Sequence, residues 1–263
     1  MKFALLRSFF LAALLAMGAL VVAAQPAGLM FAGERLVYDG KISRFRVSIS
    51  VAELTVSATV PTGKNELLIK TDAVSKGTLL KMFRYSFVQQ YESTIDLANF
   101  RILKTVKHDV QKERVRDSEA IFDYVAHRVI YVETDPKDPH RPPRRIASEI
   151  GDLMQDMVSA VYYARLQKLE PGKRFDVPVS DSGLVYTVPV VVGTRQKIDT
   201  VLGKRTPCIR IEPQIFGPTR LIDQKGKMVI WLTDDDRHVP VRGEVDSNFG
   251  KIDIRLKSIM KAG

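Results

Sequence analysis

Apolar and polar side chains alternate with a period of two along most of this chain. In Phe45-Arg46-Val47-Ser48-Ile49-Ser50-Val51 the apolar positions are odd, and from Leu54 through Val56 to Val60 they are even. Alternation of this kind lines one face of a half-buried β-strand. The change of parity needs one extra residue, which predicts a β-bulge or tight turn near Ala52-Glu53. Pro61-Thr62-Gly63-Lys64-Asn65 reads as a turn, and Leu67, Ile69, Thr71 and Ala73 begin the return strand. Met82 to Tyr91 predicts an aromatic strand with Phe83, Tyr85 and Phe87 on one face. Thr94 to Val106 and Ala120 to Glu133 predict two more, the second carrying Phe122, Tyr124, Val129 and Tyr131. The charged stretch from His108 to Ser118 is either a strand exposed on both faces or a long hairpin end.

The alternation stops twice. Residues 135–145 hold four prolines among basic residues, which fix φ and remove backbone donors, so an exposed loop is expected. Ile150, Leu153, Met154, Met157, Val158, Val161, Tyr162 and Leu166 then follow the spacing of one apolar helical stripe. That spacing predicts a helix over 150–169, with Asp152 and Gln155 as a capping pair and Pro171-Gly172 as its end. Strands resume at Phe175–Val179, Leu184–Val192, Gln196–Val201, Cys208–Ile215, Met228–Leu232, Val239–Val245 and Lys251–Ile259, parted by short turns. The expected fold is mainly β: a large curved antiparallel sheet, half-barrel or barrel-like, with one long amphipathic helix packed on its concave face. Residues 33–263 then form a single domain, behind a flexible stretch at 25–32. An antiparallel sheet of about a dozen strands must curl to hide its apolar face and its edges.

Residues 1–24 change the compartment. Lys2 and Arg7 precede an uncharged run from Ser8 to Ala24 that closes on Val22-Ala23-Ala24, the order of a secretory leader. A retained membrane anchor is the alternative. A cleaved leader implies a periplasmic or otherwise exported protein with no stable transmembrane span. Loss of Lys2 and Arg7 lowers the formal charge from +10 to +8. Export removes nucleic acid as a partner and leaves a lipid or an anionic envelope component. Cys208 is the single cysteine, so no internal disulfide forms and a buried structural thiol is expected.

Catalytic and metal chemistry find little support. His108, His127, His140 and His238 have no partner at metal-binding spacing. Asp234-Asp235-Asp236 runs into Arg237, which suits a charge-relieving turn better than a calcium loop. Ser180 and Ser182 lie in an ordinary loop, and no Gly-x-Ser-x-Gly turn occurs. No catalytic residue, cofactor or metal is assigned.

Three stretches carry a resemblance. They are Gly33-Glu34-Arg35-Leu36-Val37-Tyr38-Asp39-Gly40-Lys41-Ile42 running into Ala52-Glu53-Leu54-Thr55-Val56; Asp152-Leu153-Met154 through Tyr162-Tyr163-Ala164-Arg165 to Pro171-Gly172-Lys173; and Ile230-Trp231-Leu232-Thr233-Asp234-Asp235 with Arg237-His238-Val239-Pro240-Val241. In this order and spacing the chain resembles an uncharacterised bacterial family, domain of unknown function 3108. The resemblance implies an exported, β-rich envelope protein and lends no catalytic residues. The general look is similar to the half-barrel lipid carriers of the periplasm, an analogy of fold that does not establish function.

The expected site is an apolar groove between helix and sheet, formed by Phe83, Tyr85, Phe87, Phe122, Tyr124, Met154, Met157, Val161 and Trp231. A filled core is the other reading of the same residues. A groove predicts a non-enzymatic envelope protein that binds a lipid or other amphipathic ligand. A structural or interaction protein with a filled core, and an envelope hydrolase, are the alternatives.

Overall fold

The computed structural model describes residues 26–44, 47–247 and 250–261. The expected leader, and Phe45-Arg46 of the first hairpin, lie outside the described residues. A 3-10 turn at Ala27–Phe31 leads into the sheet. Its first eight strands are β1 (Glu34–Arg44), β2 (Val47–Thr59), β3 (Glu66–Ser75), β4 (Phe87–Asp96), β5 (Arg101–Gln111), β6 (Arg114–Asp123), β7 (Arg128–Thr134) and β8 (Arg144–Glu149). The others are β9 (Arg174–Asp181), β10 (Leu184–Thr200), β11 (Gly203–Pro213), β12 (Gly226–Thr233), β13 (Pro240–Ser247) and β14 (Gly250–Lys261). Two short helices complete the described residues, α1 (Gly77–Phe83) and α2 (Ser159–Arg165).

All fourteen strands join one antiparallel sheet in the order β8-β7-β6-β5-β4-β3-β2-β1-β14-β13-β12-β11-β10-β9. Two meanders, β1 to β8 and β9 to β14, are therefore fused where β1 pairs with β14. No backbone ladder joins β8 to β9, so the sheet is not closed. It nevertheless coils until its ends touch: the Ser148 hydroxyl on β8 donates to the carbonyl of Gly183 in the β9–β10 turn at 2.7 Å.

This topology dictates the path of the connector. β8 and β9 are consecutive in sequence but stand at opposite ends of the sheet, so residues 150–173 must bridge them. Met154, Gln155, Asp156, Ser159, Tyr162, Ala164, Arg165 and Leu169 are all buried along the way. Phe31, Leu36, Leu67, Ile69, Ile95 and Ile102 meet Met154 and Tyr162 in one apolar cluster; Val177, Val190, Ile209, Ile211 and Leu232 meet Ala164 and Leu169 in the other. Each fully buried aliphatic side chain contributes roughly 1.5–3 kcal/mol.

Several expectations need correction. The helix expected over 150–169 is confined to Ser159–Arg165. Upstream of it the backbone is extended, because its polar groups bond to the sheet instead. Ile102 N–H donates to the Met154 carbonyl and Gln155 N–H to that of Pro178, while the Gln155 carbonyl accepts from Ser180 N–H. The capping pair is Asp156 with Ser159, not Asp152 with Gln155. Asp156 Oδ1 accepts from Ser159 N–H at 2.7 Å, and Ser159 Oγ accepts from Asp156 N–H at 2.8 Å. Residues 26–32 are packed, with Phe31 edge-on to Phe100 and Tyr162.

The strand expected from Met82 starts at Phe87, because residues 77–83 are helical. Thr94–Val106 and Ala120–Glu133 are each a hairpin. Their turns lack glycine and proline, and the side chains of Asp96 and Asp123 make them by accepting the backbone N–H groups of Ala98, and of Val125 and Ala126. The charged stretch His108–Ser118 is the hairpin end that joins β5 to β6. Leu184–Val192 and Gln196–Val201 are one strand, bent by a register shift between Val192 and Arg195. The proline-rich turn ends early, in the edge strand β8, whose charged alternation carries no apolar signal. The parity change in β2 does mark a bulge: Gly40 pairs with Ala52 and Lys41 with Ser50, leaving Val51 as the extra residue.

Candidate ligand-binding site

The helix α2 carries two faces. Tyr162 and Arg165 point into a buried polar cluster. The Arg165 guanidinium grips the Glu34 carboxylate through two bonds, Nη1 to Oε1 at 2.6 Å and Nη2 to Oε2 at 2.8 Å, with both side chains at most 2% exposed. Arg165 Nε donates to the Arg237 carbonyl, and His238 Nδ1 donates to the Arg165 carbonyl at 2.7 Å. The rings of Phe31 and Tyr162 lie 4.4 and 4.9 Å from the guanidinium carbon. The Tyr162 hydroxyl lies buried beside both charges without a hydrogen bond of good geometry. Burial pushes its pKa well above the usual phenol range, with Glu34 adding to the effect.

Met157, Ala160 and Val161 form the other face, and they remain partly accessible although the sheet surrounds them. On one flank lies a cavity of about 190 Å³, walled by Leu36, Tyr38, Val56, Tyr162, Ile230 and Ile254 among others. On the other flank lies one of about 70 Å³, walled mainly by valine and isoleucine of β9 to β12. Met157, Val161, Met228 and Ile230 line both. The larger cavity also presents Thr71, whose buried hydroxyl, like that of Tyr162, has no hydrogen-bond partner. A third, polar pocket of about 30 Å³ touches Met157 from the side of β4 to β7.

Of the residues expected in the groove, the structure brings Met157 and Val161 together at these cavities. Met154 and Phe122 fill the closed core, and Tyr124 sits at its margin, donating to the Ile102 carbonyl at 2.7 Å. Tyr85 and Phe87 pair with each other at 6.3 Å at the start of β4, opposite Gln111 beside the β5–β6 turn and away from the cavities. Trp231 alternates away from Ile230 and Leu232 and stacks under Arg242 at 4.8 Å. The Phe83 side chain lies outside the described residues. Glu34, Tyr38, Thr71, Tyr162 and Arg165 were not expected in a site. A charged pair separated by 131 positions has no local sequence signal.

The other candidates resolve into structure. Asp234 accepts two bonds from Arg195, and Asp235 caps the turn to His238. Among the described residues no group of three or more His, Cys, Asp or Glu side chains could hold a metal. None of the described helices is long and apolar enough to cross a membrane. Cys208 is 1% exposed, and burial, with Asp234 and Asp235 near it, pushes its pKa up to about 11. The thiol is expected to resist iodoacetamide at pH 8 in the folded protein and to react fully in 6 M guanidinium; rapid native alkylation would contradict this burial.

The profile of a family described as protein of unknown function (DUF3108) matches residues 38–257. The chain belongs to this family. The matched span runs from β1 to β14 and includes α2. No curated protein matches this DUF3108 chain. Among solved structures it is similar to a β-barrel-like protein of domain of unknown function DUF1849 from Brucella abortus. The TM-score is 0.61 at 11% identity, over 89% of this chain and 99% of that one. At that identity the likeness speaks to fold alone.

Proposed function

We propose that this protein is a non-enzymatic component of the cell envelope, exported behind residues 1–24, that holds an amphipathic ligand against α2. What carries the reading is the pair of apolar cavities on the two flanks of a helix whose Met157-Ala160-Val161 face stays partly accessible. A well-packed core leaves few voids larger than a water molecule. An apolar cavity of about 150 Å³ accepts a benzene ring, so the larger space suits one short chain or ring. It is too small for a lipid with several acyl chains. The unpaired hydroxyl of Thr71 gives a bound molecule one polar contact in a mostly apolar wall.

Native mass spectrometry of protein isolated from envelope fractions tests this directly. The expected species lacks residues 1–24 and carries an extractable single-chain amphiphile. Val161→Phe, which fills both cavities, is expected to weaken binding of a dansyl-undecanoate probe at least tenfold while the far-ultraviolet circular dichroism stays unchanged. Undiminished probe binding by the Phe variant, or a ligand-free protein that takes up no probe, would sink the reading.

A further inference from the structure

The polar pocket beside Met157 is chemically unlike the cavities it adjoins. It lies where the ends of the coiled sheet meet, lined by Tyr91, Lys107, Ser118 and Tyr131 on one side and by Ser180, Asp181 and Ser182 on the other. Lys107 is half-buried, and no carboxylate among the described residues comes within ion-pair distance of it. Its ammonium instead lies 4.9 Å from the centre of the Tyr91 ring. Ser180 is 5% exposed, and its hydroxyl has no hydrogen-bond partner. A buried hydroxyl without a partner and an ammonium without a carboxylate thus face one space, and both can donate to an anion placed between them.

The acidic neighbours do not fill that role. Asp156 is saturated, because it accepts from Ser93, Thr105 (2.8 Å), Val158 N–H and Ser159 N–H. Asp109 accepts from Gln89 and Gln111, and Asp181 accepts from Ser182. Burial alone would lower the Lys107 pKa, but Tyr91, Asp181 and Asp109 outweigh it and raise it, so the amine stays charged. A charged amine donates hydrogen bonds to an anion and cannot serve Ser180 as a general base.

We propose that Lys107 and Ser180 hold the carboxylate of a single-chain amphiphile whose hydrocarbon tail passes Met157 into the cavities along α2. This assignment rests on the groove reading above and adds the head group to it. The polar pocket is small, about 30 Å³ against roughly 10–15 Å³ for one water, which suits the two oxygens of a carboxylate. Met157 is the one residue that lines all three spaces, which makes it the passage between head and tail. Scaled from the benzene-sized cavity, the two apolar spaces take about eight to twelve carbons.

Isothermal titration with decanoate and with decanol separates the two readings. The mature chain is expected to bind decanoate at least tenfold more tightly than decanol. Lys107→Met, which keeps the apolar stem, is expected to abolish that preference while decanol binding stays the same. Ser180→Ala is expected to reduce it about threefold or more. Unchanged decanol binding shows that each variant folds. Equal affinity for decanoate and decanol in the unaltered chain overturns the head-group assignment and leaves the groove standing. Binding of neither overturns both.

Discussion

Glu34→Gln is expected to lower the unfolding free energy by about 3–5 kcal/mol, the usual result of removing one partner from a buried ion pair. The mechanism is specific to the position. Glu34 and Arg165 are both at most 2% exposed, and the guanidinium has no solvent to turn to once the carboxylate is gone. In a domain of this size the loss corresponds to a drop in Tm of roughly 6–20 °C, measurable by calorimetry alongside urea titration. Arg165→Met should cost a similar amount, since it leaves the buried carboxylate only the longer contact to Arg237 at 3.7 Å. The double replacement Glu34→Leu with Arg165→Met should recover at least half of either loss, because the two closely bonded charges are removed together and the remaining cation, Arg237, has a side chain 42% exposed. A single Glu34 variant that loses less than about 1 kcal/mol would mean that water reaches this pair. The pair also fixes the geometry of the connector. It ties the last turn of α2 to the first residue of β1, and so sets where the Met157-Val161 face lies against the sheet.

Gly183→Ala is the second large effect, about 2–5 kcal/mol. Gly183 has φ +80, a conformation that costs an L-residue on the order of 1–2 kcal/mol. An added Cβ would also lie 2.6 Å from Tyr131 Cβ and 2.9 Å from Ile146 Cβ. Those atoms are fixed by the backbone of β7 and β8 and cannot rotate away, so overpacking adds roughly 1–3 kcal/mol. Gly63→Ala is the control: it has φ +75 but nothing within 4 Å of the new methyl, so only the conformational part remains. Hydrogen exchange should show where the difference goes. Residues 144–149 are expected to exchange markedly faster in the Gly183 variant, because the contact that holds the sheet's ends together has been pushed apart. Equal losses in the two glycine variants would deny the seam any part in stability.

The local rules were legible wherever one face of a strand is buried. The alternation in β2 gave its bulge to within a residue, since an unpaired Val51 is the one way to keep both halves facing the core. The rules failed where side chains replace the usual turn residues, as Asp96 and Asp123 do, and where a short edge strand is mostly exposed and carries one large apolar residue, as β8 does with Ile146. They also failed in residues 150–158. There the apolar spacing suits a helix, but Ile102 at the start of β5 and the free edge of β9 offer the backbone better partners. Of the candidate groove, Met157 and Val161 were within reach because a helical stripe must face something. Phe122, Met154 and Trp231 carry the same apolar signal, and nothing local tells a cavity wall from a filled core.

By itself the sequence determined most of the strands and the central amphipathic segment, because period-two and period-3.6 patterns are local consequences of burying one face. Only the tertiary structure decided that β1 pairs with β14, that β8 and β9 stand at the open ends, and that the connector between them therefore lies inside the coil. The pairing of Glu34 with Arg165 and the meeting of Lys107 with Ser180 belong to the same class. These contacts follow from how far the sheet coils, a sum of small twists over fourteen strands that no stretch of residues encodes alone.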